Sequence, residues 1–280
     1  MNKTIVITGA NGFIGRYLSE YFAYNGYQVT ALIHSKLKYA IKGVTYRQFD
    51  MDSFSTDVIP NDIAAVVHCA YIPYKKSNNS DERNLRATER LLEICRKRKI
   101  GKFVFLSSFS AKSIAISHYG RNKYTLEQLF DVEKDLIFRP ALVEGNGGLW
   151  KKMEDIIKAN KVIPLIGGGK QAMQTINIEL LAKIIHGGIE KNLSGVYDIA
   201  ENESLTMKDV YRKMAAGMDK KIHFLPIPYF VASLIVQSLA LVMKEPPITV
   251  ENLNGLKQSA FRRPSDLKIF LGNEHEVSMK

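Results

Sequence analysis

The stretch Thr4-Ile-Val-Ile-Thr8-Gly9-Ala-Asn-Gly12-Phe-Ile-Gly15 decides the fold. Residues 4–8 are a short β-branched run, which reads as a buried strand, and the glycines at 9, 12 and 15 turn the chain at once into a helix. Glycine permits the tight turn and lets backbone amides approach a pyrophosphate, while the helix N-terminus adds positive potential. A second strand over 27–33 follows, so the glycines lie inside a β-α-β unit. Gly9, Asn11, Gly12, Phe13, Ile14 and Gly15 are therefore expected to cradle a dinucleotide.

Further β-branched runs at 44–49, 64–68, 103–107 and 135–139 alternate with helical segments, the pattern of a parallel sheet with crossover helices. Residues 84–98 carry Leu85, Leu91, Leu92 and Cys95 at helical spacing, and 119–132 carry Tyr124, Leu126, Leu129 and Phe130. These stripes are core. The predicted fold class is α/β, a Rossmann-type parallel sheet with helices on both faces. Residues 1–145 form the dinucleotide domain, and 146–280 form a smaller substrate lobe that shares some elements with it.

The chain of 280 residues is 46% hydrophobic, enough for a sizeable core. Its two cysteines, Cys69 and Cys95, have no CxxC or Cys/His spacing, so neither a disulfide framework nor a metal site is expected. The N-terminus passes directly into a strand without a signal-peptide h-region, and the expected location is cytoplasmic. Lys and Arg outnumber Asp and Glu by 39 to 28. The net charge of +11 favours anionic ligands, and no nucleic-acid motif accompanies it. The cationic run 96–99 reads as a solvated helix end. Residues 229–243 are 15 uncharged residues, short of the roughly 20 that span a bilayer. They are expected to form a buried or subunit-interface helix, with a homodimer or peripheral membrane contact as its partner.

An acid that holds the ribose hydroxyls of NAD is expected about 20 residues beyond the glycines. There is none between Glu20 and Asp50, and His34, Ser35, Lys36 and Lys38 occupy the region, with Arg16 just after the last glycine. Cations at that place suit a 2′-phosphate. NADP is the expected cofactor, with NAD as the alternative.

Tyr119-Gly-Arg-Asn-Lys123 puts a phenol and an ammonium on one face of a helix. Such a lysine can lower the tyrosine's pKa and grip the nicotinamide ribose, which makes Tyr119 a general acid/base. The preceding strand ends in Ser107 and Ser108. Ser108 is assigned as hydrogen-bond donor to the substrate oxygen, with Ser107 and Ser110 as weaker substitutes.

With these residues in place the chain resembles the extended or atypical short-chain dehydrogenase/reductases, the NAD-dependent epimerase/dehydratase family. The matching pieces are TGANGFIG (8–15), VVHCA (66–70), NLRATERLLE (84–93), FVFLSSFSA (103–111), YGRNKYTLEQ (119–128) and RPALVEG (139–145). Weaker likeness continues through IPLIGGGKQ (163–171), GVYDIA (195–200) and FRRPSDLKIFLG (261–272). The resemblance implies that Asp50 binds near adenine, Ala70 and Tyr71 line the cofactor, Asn84 orders the site, and Pro140 and Leu142 pass beside the nicotinamide. Met51, Cys69 and Ser107 complete the expected cofactor set, and Ser110 and Arg263 form the expected substrate set.

Departures from the family pattern narrow the expectation. Phe109 and Ser110 follow Ser108 where 4,6-dehydratases have an Asp-Glu pair, so that reaction is not expected. Ser108 and Tyr119 are only 11 positions apart, and Met173 replaces an arginine that serves the diphosphate in many nucleotide-sugar enzymes. Arg263, or more weakly Lys170, is left for that duty. The expected function is an NAD(P)-dependent reductase or epimerase of a keto/hydroxyl centre on a nucleotide-activated sugar. Two alternatives stay open: a non-catalytic NADPH-binding module resembling the accessory subunit of respiratory complex I, and a reductase of an apolar ketone.

Overall fold

The computed structural model describes residues 3–37, 39–74, 79–201, 205–242, 250–257 and 261–271, without the side chains of 240–242 and 251–252. Its centre is a seven-stranded parallel sheet. The strands are β1 (Thr4–Thr8), β2 (Gln28–Ile33), β3 (Val44–Gln48), β4 (Ala65–His68), β5 (Lys102–Leu106), β6 (Leu136–Pro140) and, after four short strands, β11 (Gly195–Ile199). They run in the order β11-β6-β5-β4-β1-β2-β3. The first six fall within one residue of the runs read from sequence, because a parallel strand buried on both faces is a nearly continuous apolar run.

Alternation within those runs sorts side chains onto two helical layers. Ile5, Ile7, Val104 and Leu106 face one core with α1 (Phe13–Tyr24) and α5 (Ile178–Glu190). Val6, Val66, Phe103 and Phe105 face the other with α2 (Ser80–Lys97) and α3 (His118–Glu127). The chain winds outward in both directions from β1 and β4, and the crevice at their carboxyl ends is the topological switch point where such sheets bind ligands.

The short strands belong mostly to the far part of the chain. β7 (Leu142–Glu144) pairs with β10 (Thr175–Asn177), β8 (Val162–Ile166) with β13 (His223–Ile227), and β9 (Ala172–Met173) with β12 (Leu205–Thr206). A separate core of Met153, Ile157, Ile163, Leu165, Val210 and Met214 lies between α4 (Gly148–Ala159), β8 and α6 (Met207–Gly217). α7 (Tyr229–Val242) packs Ala232 and Val236 against Leu253 of α8 (Val250–Lys257). The 229–243 run is thus only half covered: Phe230 is 69% and Leu234 63% exposed, and Met243 lies outside the described residues. Among the described residues no helix is long and apolar enough to cross a membrane. α9 (Lys268–Leu271) returns Phe270 to the core beneath α5.

One sequence expectation is corrected here. The 96–99 run is not merely a solvated helix end: Arg96 pairs with the fully buried Asp135 carboxylate, and Arg98 donates to the Ile59 carbonyl oxygen. A carboxylate buried at the start of β6 requires such a partner.

Candidate active site

The glycine turn is built by close approach. Gly9 has φ +64°, and a Cβ there would lie 2.7 Å from the Ala70 nitrogen at the end of β4. A Cβ on Gly15 would lie 2.4 Å from the Gly9 carbonyl oxygen. Both side chains are excluded, so the backbone itself forms a concave cradle at the switch point. α1 starts there at Gly12 with neither a side-chain cap nor a first-turn acid among the described residues, leaving its amides and dipole for an anion. The cradle therefore fits a dinucleotide's pyrophosphate. Phe13 is half-buried against the core shared by α1 and α5, and the 145–148 segment passes over it so closely that a Cβ at Gly147 would meet its ring at 2.3 Å. Ile14 is half-buried in the same core.

At the end of β2, Asn11 Nδ2 donates to Ser35 Oγ (2.8 Å) and to the Ser35 carbonyl oxygen (3.1 Å), tying that loop to the glycine turn. His34, Ser35 and Lys36 are exposed, and the Arg16 guanidinium lies 6.0 Å from the Tyr39 ring centroid. Lys38 lies outside the described residues. An acid does reach this corner through space. Asp50, beyond β3, comes within 3.7 Å of His34 Nε2, with Met51 beside it packed on the α2 core. Sequence distance alone did not place that carboxylate.

At the end of β4, Thr8 Oγ1 accepts from the Ala70 amide (3.1 Å) and pairs with His68 Nδ1 (2.7 Å), whose Nε2 pairs with Thr88 Oγ1 (3.2 Å). Burial, with Lys123 acting in the same sense, pushes the His68 pKa down to about 3, so the imidazole is a neutral strut. Burial likewise pushes the Cys69 thiol up to about 12, which disfavours its thiolate. Asn84 is fully buried and brackets the next loop. Its Oδ1 accepts from the Ile72 amide (2.9 Å), while its Nδ2 donates to the Ile72 carbonyl oxygen (3.0 Å) and to Asn122 Oδ1 (3.2 Å). Tyr71 in that loop meets Tyr119 edge-on at 5.3 Å.

α3 carries Tyr119 and Lys123. Ser117 caps it by accepting from the Gly120 amide (3.1 Å). Gly120 lets the helix press on the turn that follows β5, since a Cβ there would lie 2.4 Å from the Ser110 carbonyl oxygen. The turn is closed by Ala111 N–H to the Ser108 carbonyl (2.9 Å) and by Ser110 N–H to Ser108 Oγ (3.1 Å). The Ser108 hydroxyl acts to lower the pKa of the Tyr119 phenol. Beyond the strand, Phe109 donates to the Pro140 carbonyl oxygen (3.1 Å), and Leu142 donates to that of Gln174 (3.1 Å).

Two electrostatic expectations change. Lys123 is 3% exposed, and its Nζ donates to the Leu106 carbonyl oxygen (2.6 Å) while lying 4.7 Å from the Tyr71 and Phe105 ring centroids. Burial lowers its pKa to about 8, against smaller raising effects of Cys69 and Glu127. Tyr119 remains 38% exposed as a residue, yet crowding around its phenol raises the pKa, and the Ser108 hydroxyl opposes this only in part. In this arrangement the lysine therefore does not bring the phenol below its ordinary value. Ser107 is corrected as well: it is buried and donates to the Glu127 carboxylate, so its hydroxyl turns away from the crevice.

Arg263 is exposed, whereas Arg262 beside it turns inward and donates to the Ala111 carbonyl oxygen (3.0 Å) and to Asp198 (3.1 Å). The repeated arginine in the sequence contained no local signal to choose between them. Sequence reasoning also missed His118, which the Tyr74 ring stacks on at 4.0 Å.

The profile described as the NAD dependent epimerase/dehydratase family matches residues 5–200. The chain belongs to that family. Family membership and the parallel-sheet fold bear out the resemblance read from the sequence. The chain is similar to the decarboxylating sterol-4-alpha-carboxylate 3-dehydrogenase of Dictyostelium discoideum, 24% identical over 295 residues that cover 91% of this chain and 87% of the relative. Among solved structures, gox2253 superposes with a TM-score of 0.75 at 16% identity, covering 97% of this chain and 93% of that one. The UDP-glucuronic acid 4-epimerase from Bacillus cereus, solved with NAD, gives 0.68 at 20% identity, covering 90% and 94%. TunA, described as an NAD dependent NDP-hexosamine 5,6-dehydratase, gives 0.66 at 19%, covering 92% and 96%. At such identities these likenesses establish the shared fold.

Proposed function

We propose that this family member is an NAD(P)-dependent oxidoreductase or epimerase acting at a keto/hydroxyl carbon of a nucleotide-activated sugar. The observation that carries the reading is the placement of Tyr119, which meets Tyr71 edge-on at 5.3 Å beside the loop that closes on Gly9, with Lys123 one helical turn further on. A bound nicotinamide dinucleotide supplies or accepts hydride. Tyr119 gives or takes the hydroxyl proton, Ser108 donates to the same substrate oxygen, and Lys123 holds the ribose. Residues 1–145 serve the cofactor and 146–280 the substrate, although β11 of the latter completes the first sheet and α5 and α9 pack in its core. A panel of UDP-hexoses and 4-keto sugars, followed by NAD(P)H absorbance and product chromatography, tests the reading. Binding of NADPH without turnover of any alcohol or ketone would move the assignment to a non-catalytic module.

One observation favours a second reading, a reductase of an apolar ketone. The Dictyostelium relative is named for a sterol substrate, and Met173 packs in the apolar core of the far part of the chain. Sterol 3-ketones in the same panel separate the two readings.

NADP is the proposed cofactor, resting on Arg16 and the exposed His34, Ser35 and Lys36. The Asp50 carboxylate 3.7 Å from His34 works against a 2′-phosphate, so the preference should be modest. Fluorescence titration should find NADPH bound more tightly than NADH. Arg16→Ala should weaken NADPH about 10-fold, the scale of one charge-assisted hydrogen bond, and leave NADH unchanged. Equal affinities, or an NADH preference indifferent to Arg16, would remove the argument.

The reading does not extend to 4,6-dehydration, because Phe109 and Ser110 follow Ser108 in place of a carboxyl pair that would assist loss of water, with Phe109 packed by the Arg262 guanidinium (5.7 Å). UDP- and dTDP-glucose should yield no 4-keto-6-deoxy product, read as the absorbance that develops on alkali treatment. Its appearance would mean that another acid enters the site.

A further inference from the structure

Two arginines from different parts of the chain meet at Asp198 and hold both ends of the segment that carries Ser108. At the strand end, Ser107 donates to Glu127, which Arg139 grips through Nε (2.8 Å) and a second nitrogen. Arg139 and Asp198 are register partners on β6 and β11, with Nη1 3.9 Å from Oδ1. At the turn end, Arg262 reaches the same Asp198 oxygen at 3.1 Å and the Ala111 carbonyl oxygen at 3.0 Å, with the Phe109 ring 5.7 Å from its guanidinium carbon.

Arg262 is itself aimed. The 6%-exposed Gln174 brackets its backbone, accepting from its amide (2.8 Å) and donating to its carbonyl oxygen (2.9 Å). Ser265 ties the same segment to β11, its amide donating to the Asp198 carbonyl oxygen (2.8 Å) and its Oγ accepting from the Asp198 amide (3.0 Å). The planar fork of arginine satisfies a carboxylate and a carbonyl at once, which a lysine ammonium on a flexible stem does less well.

We infer that Arg262 is a positioning residue: from the C-terminal part of the chain it holds the 108–111 turn against the Gly120 end of α3, and so sets where Ser108 stands relative to Tyr119. This rests on the proposed roles of Ser108 and Tyr119, and the test separates the two ideas. In the full chain, Arg262→Ala should speed hydrogen exchange of the Ser110 and Ala111 amides about 10-fold, the scale of one lost charge-assisted bond. With the substrate found in the panel, kcat should fall about 10-fold while KM for the cofactor stays put. Arg262→Lys, which keeps the Asp198 pair, should recover part of both and guards against misfolding. In a Ser108→Ala background the Arg262→Ala loss of kcat should shrink to less than about 2-fold, since the group being positioned is gone.

Unchanged amide exchange in Arg262→Ala would overturn the inference. So would an undiminished kcat loss in the Ser108→Ala background, which would make Arg262 a substrate contact. Ser108→Ala as fast as wild type would instead sink the catalytic reading, and with it the role assigned to the tether even if exchange showed the turn loosened.

Discussion

Tyr119→Phe should bind NADPH within a few-fold of wild type while kcat falls by about 10² or more, the usual scale for a positioned general acid/base. The substitution removes one hydroxyl and keeps the ring that meets Tyr71 edge-on, so the walls of the crevice stay in place. Steady-state kinetics in both directions and a fluorescence titration measure the two quantities. The pH profile gives an independent sign. Because crowding holds the phenol above its ordinary value, the oxidation-direction rate should climb with pH through a step that disappears in Tyr119→Phe. Undiminished turnover in the variant would refute the assignment.

Lys123→Met should abolish turnover and make the cofactor-free protein more stable. Wild type buries an ammonium whose pKa falls to about 8 from 10.5, which by itself corresponds to roughly 3 kcal/mol. Methionine loses the bond to the Leu106 carbonyl but sets a sulfur between the Tyr71 and Phe105 rings. A net gain of about 1–2 kcal/mol, or a Tm higher by about 2–4 °C, is expected. The pH dependence fixes the cause. Between pH 8 and 10.5 the unfolded chain holds more protons on this lysine than the folded one, so wild-type stability gains from this group as pH rises through that window. The variant's advantage should therefore be largest below pH 8 and shrink towards pH 10.5. A variant less stable than wild type at pH 7 would show that the Leu106 bond outweighs the buried charge.

Both predictions act on residues that were legible in the sequence, since a phenol and an ammonium four residues apart share a helix face in any context. Their electrostatics were not legible. The sequence reading had Lys123 lowering the Tyr119 pKa, but the ammonium is turned to a backbone carbonyl and both groups are shifted chiefly by what is packed around them. Ser107 and Ser108 are equivalent in a linear reading. Strand alternation sends one to Glu127 inside and the other to the crevice.

By itself the sequence determined the β-α-β start, six of the seven sheet strands, the glycine cradle and the Tyr119–Lys123 helix. Each of these is a local pattern, set by the period of burial or by the conformational freedom of glycine, and such patterns survive without knowledge of distant partners. Only the tertiary structure decided that β11 joins the sheet, that Asp50 approaches His34, and that Arg262 and not Arg263 bonds the 108–111 turn. Those outcomes depend on charges and backbone groups brought together by strand register and chain return. Ion pairs and carbonyl contacts have no sequence period, so nothing along the chain announces which of two neighbouring arginines will point inward.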